Sequence, residues 1–255
     1  MNVLNPTDAS KPIGIALLLL LCLPAGADHA AISPPPDRVP AIWLGPQELD
    51  PLQVGIGRQI PSLEVRGIDG RSIRLQRVPG RRGTVIVVRD PGCPVSQRYR
   101  PRISALARQF GERGFEFVFI YPNAELSDEE RAEDARRLAI PGVYIDRGSF
   151  ALAEALGVKS TGDVFVLDSE YRLRYRGAVD DQYGLGYTRD FPSRHYLRNA
   201  LEALRNGDAI ETPATAAPGC YIDADPAKDR RFQDLPGAQM MSSAIRLLPH
   251  QDLHS

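Results

Sequence analysis

Two periods of hydrophobic residues run through the middle of this chain. In "IPSLEVRGIDGRSIRLQ", residues 60–76, apolar and polar positions alternate on either side of Asp69-Gly70. That pattern predicts two strands joined by a tight turn with Asp-Gly turn chemistry. "TVIVVRD" (84–90) and "FEFVFIYP" (115–122) are continuous β-branched and aromatic runs, the pattern of central strands covered on both faces. Between them Tyr99, Ile103, Leu106 and Phe110 recur at helical spacing. They predict a helix from Pro94, which suits a first turn, to a stop at Gly114, with Pro101 as an internal kink. Ser127 and Glu130 form a capping box ahead of a charged helix ending near Leu138. "VYID" predicts a short strand, and "SFALAEALG" a helix between a Ser149 cap and a Gly157 stop. "DVFVLD" and "YRLRYRG" predict an antiparallel pair joined at Ser169-Glu170. Leu197, Ala200, Leu201 and Leu204 stripe a last helix, capped by Ser193 and ended by Gly207. The order of elements is that of an α/β domain, a central mixed β-sheet flanked by helices.

Outside this block the periodicity stops. Residues 13–23, "IGIALLLLLCL", follow Lys11 and precede "PAGADHA", where Ala25 and Ala27 suit small-residue cleavage. This predicts a signal peptide over 1–27 and export, because the run is too short to span a bilayer comfortably. Cys22 lies in a lipoprotein-like position, but Leu21 stands where a small residue belongs. Residues 28–54 form a Pro/Ala-rich leader that holds Trp43, with 55–207 as the domain. From 208 to 255 order is expected to fade into a C-terminal tail containing Cys220.

With 255 residues, 43% hydrophobic, and a formal net charge of −1, the chain offers no electrostatic footprint for nucleic acid or an anionic membrane. After cleavage the cysteines are Cys93 and Cys220. One reading is a structural disulfide, which would close a loop of more than a hundred residues and stabilise by roughly 5 kcal/mol. The other is a reactive thiol. In "RDPGCPVSQRY" Cys93 follows a strand and opens a helix, so its thiolate meets unpaired N–H groups and the helix dipole. Arg89 and Arg98 are near in sequence to assist and Asp90 to oppose; Pro94 starts the helix; Ser96 stands where a second cysteine would make a redox pair. Such a turn lies at the carboxyl edge of the sheet, where open α/β folds place their sites.

The pieces "IPSLEVRGIDGRSIRL", "GTVIVVRDPGCPVSQRY", "FVFIYPN", "VKSTGDVFVLD" and "YRGAVDD", between about Gly55 and Gly207, resemble the thioredoxin-like redoxins. That superfamily contains the alkyl hydroperoxide reductase/thiol-specific antioxidant proteins and the exported thiol-disulfide oxidoreductases. The resemblance implies a thioredoxin-like fold with Cys93 as nucleophile, no cofactor, and a bacterial periplasmic location. It implies thiol-disulfide oxidoreductase or antioxidant, peroxidase-like activity. The partners would be a thiol/disulfide protein or a small-molecule thiol as electron donor, with a peroxide as a further substrate. This chain departs from the superfamily at Ser96, which replaces the second cysteine of Cys-x-x-Cys. It departs at Ile86 and Asp90, where peroxiredoxins carry proline and threonine or serine, and at Gly162, which follows Thr161 in the place of the cis-proline. "TAAPGCYI" resembles a segment of some bacterial exported redoxins, which makes Cys220 the candidate resolving cysteine. Two alternatives stay open: a non-enzymatic binding module stapled by a Cys93–Cys220 disulfide, and a thiol peroxidase acting through a Cys93 sulfenate.

Metal chemistry is not expected. His250 and His254 lack further ligands; Asp223, Asp225 and Asp229 lack the glycine and glutamate of a calcium loop. Copper delivery would want a second cysteine near Cys93, and His195 alone does not supply a site. Asp180 and Asp181, in "GAVDDQYGLGY", fit either a solvated loop or a rim over Cys93.

Overall fold

A computed structural model of the chain describes residues 45–222, apart from Gly148 and Leu185. The signal run with Cys22, Trp43, Asp223, Asp225, Asp229, Met240, Met241, His250 and His254 all lie outside the described residues. Among the described residues no helix is long and apolar enough to cross a membrane.

The strands are β1 (Leu63–Gly67), β2 (Ser72–Leu75), β3 (Gly83–Val88), β4 (Phe115–Ile120), β5 (Val143–Arg147), β6 (Val164–Asp168) and β7 (Leu173–Gly177). They form one sheet in the order β2-β1-β5-β4-β3-β6-β7. β3, β4 and β5 are parallel neighbours, and the remaining pairs are antiparallel. The helices are α1 (Pro94–Gly111), α2 (Asp128–Leu138), α3 (Ser149–Leu156) and α4 (Tyr196–Asn206). A two-stranded ribbon of β8 (Tyr183–Gly184) and β9 (Tyr187–Thr188) lies between β7 and α4. The expected α/β class, with a central mixed sheet flanked by helices, is therefore present.

The central strands are buried on both faces because their alternate side chains enter two different cores. Val85 and Val87 of β3 pack with Tyr99, Ile103, Leu106 and Phe110 of α1 and with Leu197 and Leu201 of α4. Ile86 and Val88 pack on the opposite face with Leu152 and Leu156 of α3. At roughly 1.5–3 kcal/mol per fully buried aliphatic or aromatic side chain, these faces supply the driving force that fixes β3 at the centre of the sheet. All six of its residues are buried, and its carboxyl end leads directly to Cys93.

Three local expectations are corrected. α1 ends at Gly111 with its C-cap at Glu112; Gly114, at φ +90°, makes the turn into β4 instead. Ser149 is the first residue of α3 and does not cap it: its hydroxyl donates to the Ile145 carbonyl at 3.2 Å and accepts the Tyr121 N–H at 3.2 Å. Ser193 does not cap α4, whose N-cap is His195; the Ser193 hydroxyl bonds Asp181 at 2.5 Å. The capping box at Ser127 and Glu130 is present, with N···O distances of 3.2 and 2.8 Å.

Among the described residues after Gly207, 208–222 form no helix or strand of their own but pair with the domain. Ala214 bridges Arg176 of β7 in parallel, and Glu48 of the leader bridges Thr215 in turn, so the free edge of β7 is covered. Farther on, Tyr221 bridges Ser160, which brings residues 218–222 across the loop that precedes β6.

Candidate active site

Cys93 is the N-cap residue of α1, and its carbonyl accepts the first helical bond from the Gln97 N–H at 3.0 Å. Pro94 follows at the first helical position, where its missing N–H costs nothing. The preceding loop is tied on itself. The Asp90 carboxylate accepts the Gly92 N–H at 2.7 Å and the Asn123 amide at 3.0 Å, while the Ser96 hydroxyl accepts the Asp90 N–H at 3.2 Å. Gln97 Nε2 donates to the Pro91 carbonyl at 2.6 Å. Ser96, placed where a second cysteine would stand, is thus a buried tie of the loop.

Behind the loop lies a buried ion pair. Arg89 donates through Nε and Nη2 to both carboxylate oxygens of Asp134 on α2, at 3.1 and 2.8 Å, and through Nη1 to the Ser96 carbonyl. Tyr121 Oη donates to the same carboxylate at 3.1 Å. Both charges are 1% exposed, so the pair depends on this complete set of partners. The fork of Arg89 therefore braces the first turn of α1 against α2. Arg98 is exposed, with its guanidinium 5.7 Å from the centre of the Tyr183 ring. The two arginines expected to assist Cys93 are thus engaged elsewhere.

The sulfur of Cys93, in a residue 1% exposed, faces Thr161. Thr161 Oγ1 donates to Cys93 Sγ at 2.9 Å and accepts the Cys220 N–H at 2.9 Å. Since the amide occupies an acceptor site of the hydroxyl, the single hydroxyl proton is directed to the sulfur. The Thr161 N–H donates to the Cys220 carbonyl at 3.0 Å, so Cys220 is gripped on both sides of its backbone. Asp163 holds the loop from below, accepting the Lys159 and Ser160 N–H groups at 2.8 and 3.0 Å. Burial raises the pKa of that carboxyl.

Burial pushes the Cys93 thiol up, but the Thr161 hydroxyl, the Ser96 amide and the Cys220 thiol and amide outweigh it and hold the thiol below the ordinary cysteine value. Cys220 moves the other way. Its hydrogen bond with Cys93 raises it, and burial, the Cys93 charge and the Asp90 charge act in the same direction. Neither cysteine is in a disulfide, and Cys220 is exposed. A cleft of about 860 Å³ opens beside the pair, between the Asp90–Gln97 loop, Asn123 and α2.

Residues 56–176 match the model of the AhpC/TSA family. Over that span, a little under half of its length, the chain is similar to the thioredoxin-like redoxins of that family. Among solved structures, the chain is similar to an uncharacterized conserved protein from Geobacillus kaustophilus, at 27% identity and a TM-score of 0.60 over 68% of this chain and 94% of that one. It is similar to a hypothetical protein from Sinorhizobium meliloti 1021 at 22% identity and a TM-score of 0.60, over 69% of this chain and 97% of that one. It is also similar to a putative thiol:disulfide interchange protein DsbE from Chlorobium tepidum, at 12% identity and a TM-score of 0.48 over 60% of this chain and 99% of that one. No curated protein matches the chain.

Cys93 and Thr161 lie within the matched redoxin span, and Cys220 lies beyond it. Gly162, expected where redoxins carry the cis-proline, has a steric reason to be glycine here: a Cβ on it would fall 1.9 Å from the Pro218 carbonyl oxygen. Asp180 is neither a solvated carboxylate nor part of the cleft lining. It is 0% exposed and accepts from Tyr99 Oη and Arg102. Asp181 is 3% exposed and bonded to Ser193 and the Arg194 N–H. Asn123, Gln97, Asp134 and Tyr121 are part of the surroundings that sequence reading missed. The cue for Asn123 was available, since it follows the end of a parallel strand adjacent to β3.

Proposed function

We propose that this redoxin works by thiol-disulfide exchange, with Cys93 as nucleophile and Cys220 as resolving cysteine. The observation that carries the reading is Thr161, one hydroxyl bonded at 2.9 Å both to Cys93 Sγ and to the Cys220 N–H. In the reduced protein the Cys93 thiolate attacks one sulfur of a substrate disulfide. The substrate S–S bond breaks, one thiolate leaves, and a mixed disulfide with Cys93 remains. Cys220 then attacks Cys93 Sγ, expelling the second thiolate and closing a Cys93–Cys220 bond. Two electrons pass from the two protein sulfurs to the substrate, and the protons end on the departing thiols or in solvent.

The pKa directions order these steps. Cys220 is raised first of all by its hydrogen bond with Cys93 and also by the Cys93 charge. Once Cys93 is in a mixed disulfide its charge is gone, and Cys220 becomes easier to deprotonate when it is needed. An external thiol returns the couple to the reduced state. Export, proposed from the apolar run at 13–23, would place this cycle in an oxidising compartment.

The test is alkylation and mass spectrometry of the protein equilibrated across thiol-disulfide buffers. A Cys93–Cys220 bond with a potential between roughly −120 and −270 mV supports a working couple, and one below about −300 mV makes it a structural staple. If no bond forms and Cys220→Ser still consumes hydrogen peroxide with a reductant present, the chemistry is that of a sulfenate on Cys93.

A further inference from the structure

We infer that residues Pro218–Ile222 occupy, in cis, the backbone edge beside Cys93, so that this redoxin takes small-molecule disulfides and thiols and excludes extended polypeptides. The inference rests on the exchange reading above and specifies its substrate class.

An extended peptide docks on an exposed backbone edge by adding a strand, with main-chain hydrogen bonds supplying affinity. Here the edge nearest Cys93 is Lys159–Gly162, and its groups are already taken. The Ile222 N–H donates to the Lys159 carbonyl at 3.0 Å, and the Thr161 N–H donates to the Cys220 carbonyl at 3.0 Å. Tyr221 and Ser160 form an antiparallel bridge between these bonds. Ser160 Oγ adds a bond to the Pro218 carbonyl at 2.9 Å. The chain thus makes with itself the pairings that a bound polypeptide would make.

The fit is written into two glycines. A Cβ at Gly162 would lie 1.9 Å from the Pro218 oxygen. Gly219, at φ +142°, is in a conformation that L side chains rarely adopt, and a Cβ there would lie 2.6 Å from both Ser160 Oγ and Thr161 Oγ1. Backbone meets backbone with no side chain between, and any residue larger than glycine on either side forces the two apart. What stays open is the cleft of about 860 Å³ toward α2, bordered by Gly92, Cys93, Gln97, Asn123 and Leu126, with Cys220 of the segment at its rim. That volume suits a small ligand. Cys93 itself is 1% exposed and lines this cleft, so any substrate reaches it from the cleft, and a disulfide carried on a folded surface would have to displace the segment as well.

The experiment compares two substrates of the reduced full-length protein, hydroxyethyl disulfide and the disulfides of insulin, each rate divided by that of free cysteine. The expected preference for the small disulfide is at least about tenfold, because the edge bonds must break before a polypeptide can pair. Gly162→Ala should release the segment, seen as faster hydrogen exchange at the Thr161 amide, and narrow the preference. Ser160→Ala, which deletes the bonds of Ser160 Oγ to the Pro218 carbonyl and to the Gly162 N–H and adds no atom, should narrow it less; it keeps the test valid if Gly162→Ala does not fold. Equal normalised rates in the unsubstituted protein, or an unchanged preference after the Thr161 amide has become exchangeable, overturn the inference and leave the exchange reading standing. No reaction with either disulfide overturns the exchange reading and this inference with it.

Discussion

Cys93 is held from two sides by different physics. On the side of Lys159–Asp163 the fold relies on the absence of side chains: Gly162 and Gly219 let two backbones touch, and hydrogen bonds between peptide groups follow. On the side of α2 it relies on charge, with Arg89 clamped by Asp134 and Tyr121 and reaching the Ser96 carbonyl at the base of α1. The first side is a matter of shape and is closed. The second is a matter of pairing, and the cleft opens along it. A thiol held below the ordinary cysteine value can therefore be placed by contact on one flank while electrostatics braces the loop that carries it on the other.

The largest break in this comparison is expected from Asp134→Ala. It strands the Arg89 charge in a site 1% exposed and removes the partner of Tyr121 Oη. Urea unfolding should show a loss of about 3–5 kcal/mol, the usual cost of breaking a buried pair from one side. A loss under about 1 kcal/mol would mean that water reaches the pair and that the brace is not electrostatic.

Thr161→Val tests the other flank with little change in shape. The hydroxyl stabilises the Cys93 thiolate and not the thiol, so its removal should move the thiol titration upward. At neutral pH alkylation of Cys93 should slow by about tenfold, the worth of one hydrogen bond to a charged group. Thr161→Ser should restore the rate. The sign for stability follows from the lowered Cys93 pKa. That stabilisation is present above the unfolded cysteine pKa and is lost as pH falls through the folded one. Thr161→Val should flatten this dependence, and an alkylation profile unmoved in pH would remove Thr161 from the account of the thiol.

The smallest effect concerns charge in the cleft. Asp90, Glu125 and Glu129 line it together with Glu133, which bonds both Arg136 and Arg137. Oxidised glutathione should react a few-fold more slowly than uncharged hydroxyethyl disulfide, and the gap should close at high salt as screening shortens the field. A gap that persists at high salt points to shape, not charge.

The local rules of the chain were legible where a residue answers to its neighbours in sequence. The Asp69-Gly70 turn, the Ser127–Glu130 capping box, the α1 stripe and the run of β3 all depend on short-range geometry. Ser149 and Ser193 looked like caps by the same reasoning, yet their hydroxyls bond Tyr121 with Ile145, and Asp181. A hydroxyl accepts whichever buried partner the fold brings to it, and that choice is not local. Arg89 likewise looked available to a nearby thiol, but a guanidinium inside a core must go to a carboxylate, and Asp134 is the one that the packing of α2 supplies.

By itself the sequence determined the order of elements, the double burial of β3 and the place of Cys93 at the start of α1, because hydrophobic period and helix-start chemistry are local properties. Only the tertiary structure decided what surrounds the sulfur. Thr161, Cys220 and the paired glycines at 162 and 219 are far apart along the chain and close only once the C-terminal segment lies across the loop before β6. The reason is steric and electrostatic: a missing Cβ and a directed hydroxyl have meaning only when the group they face has arrived.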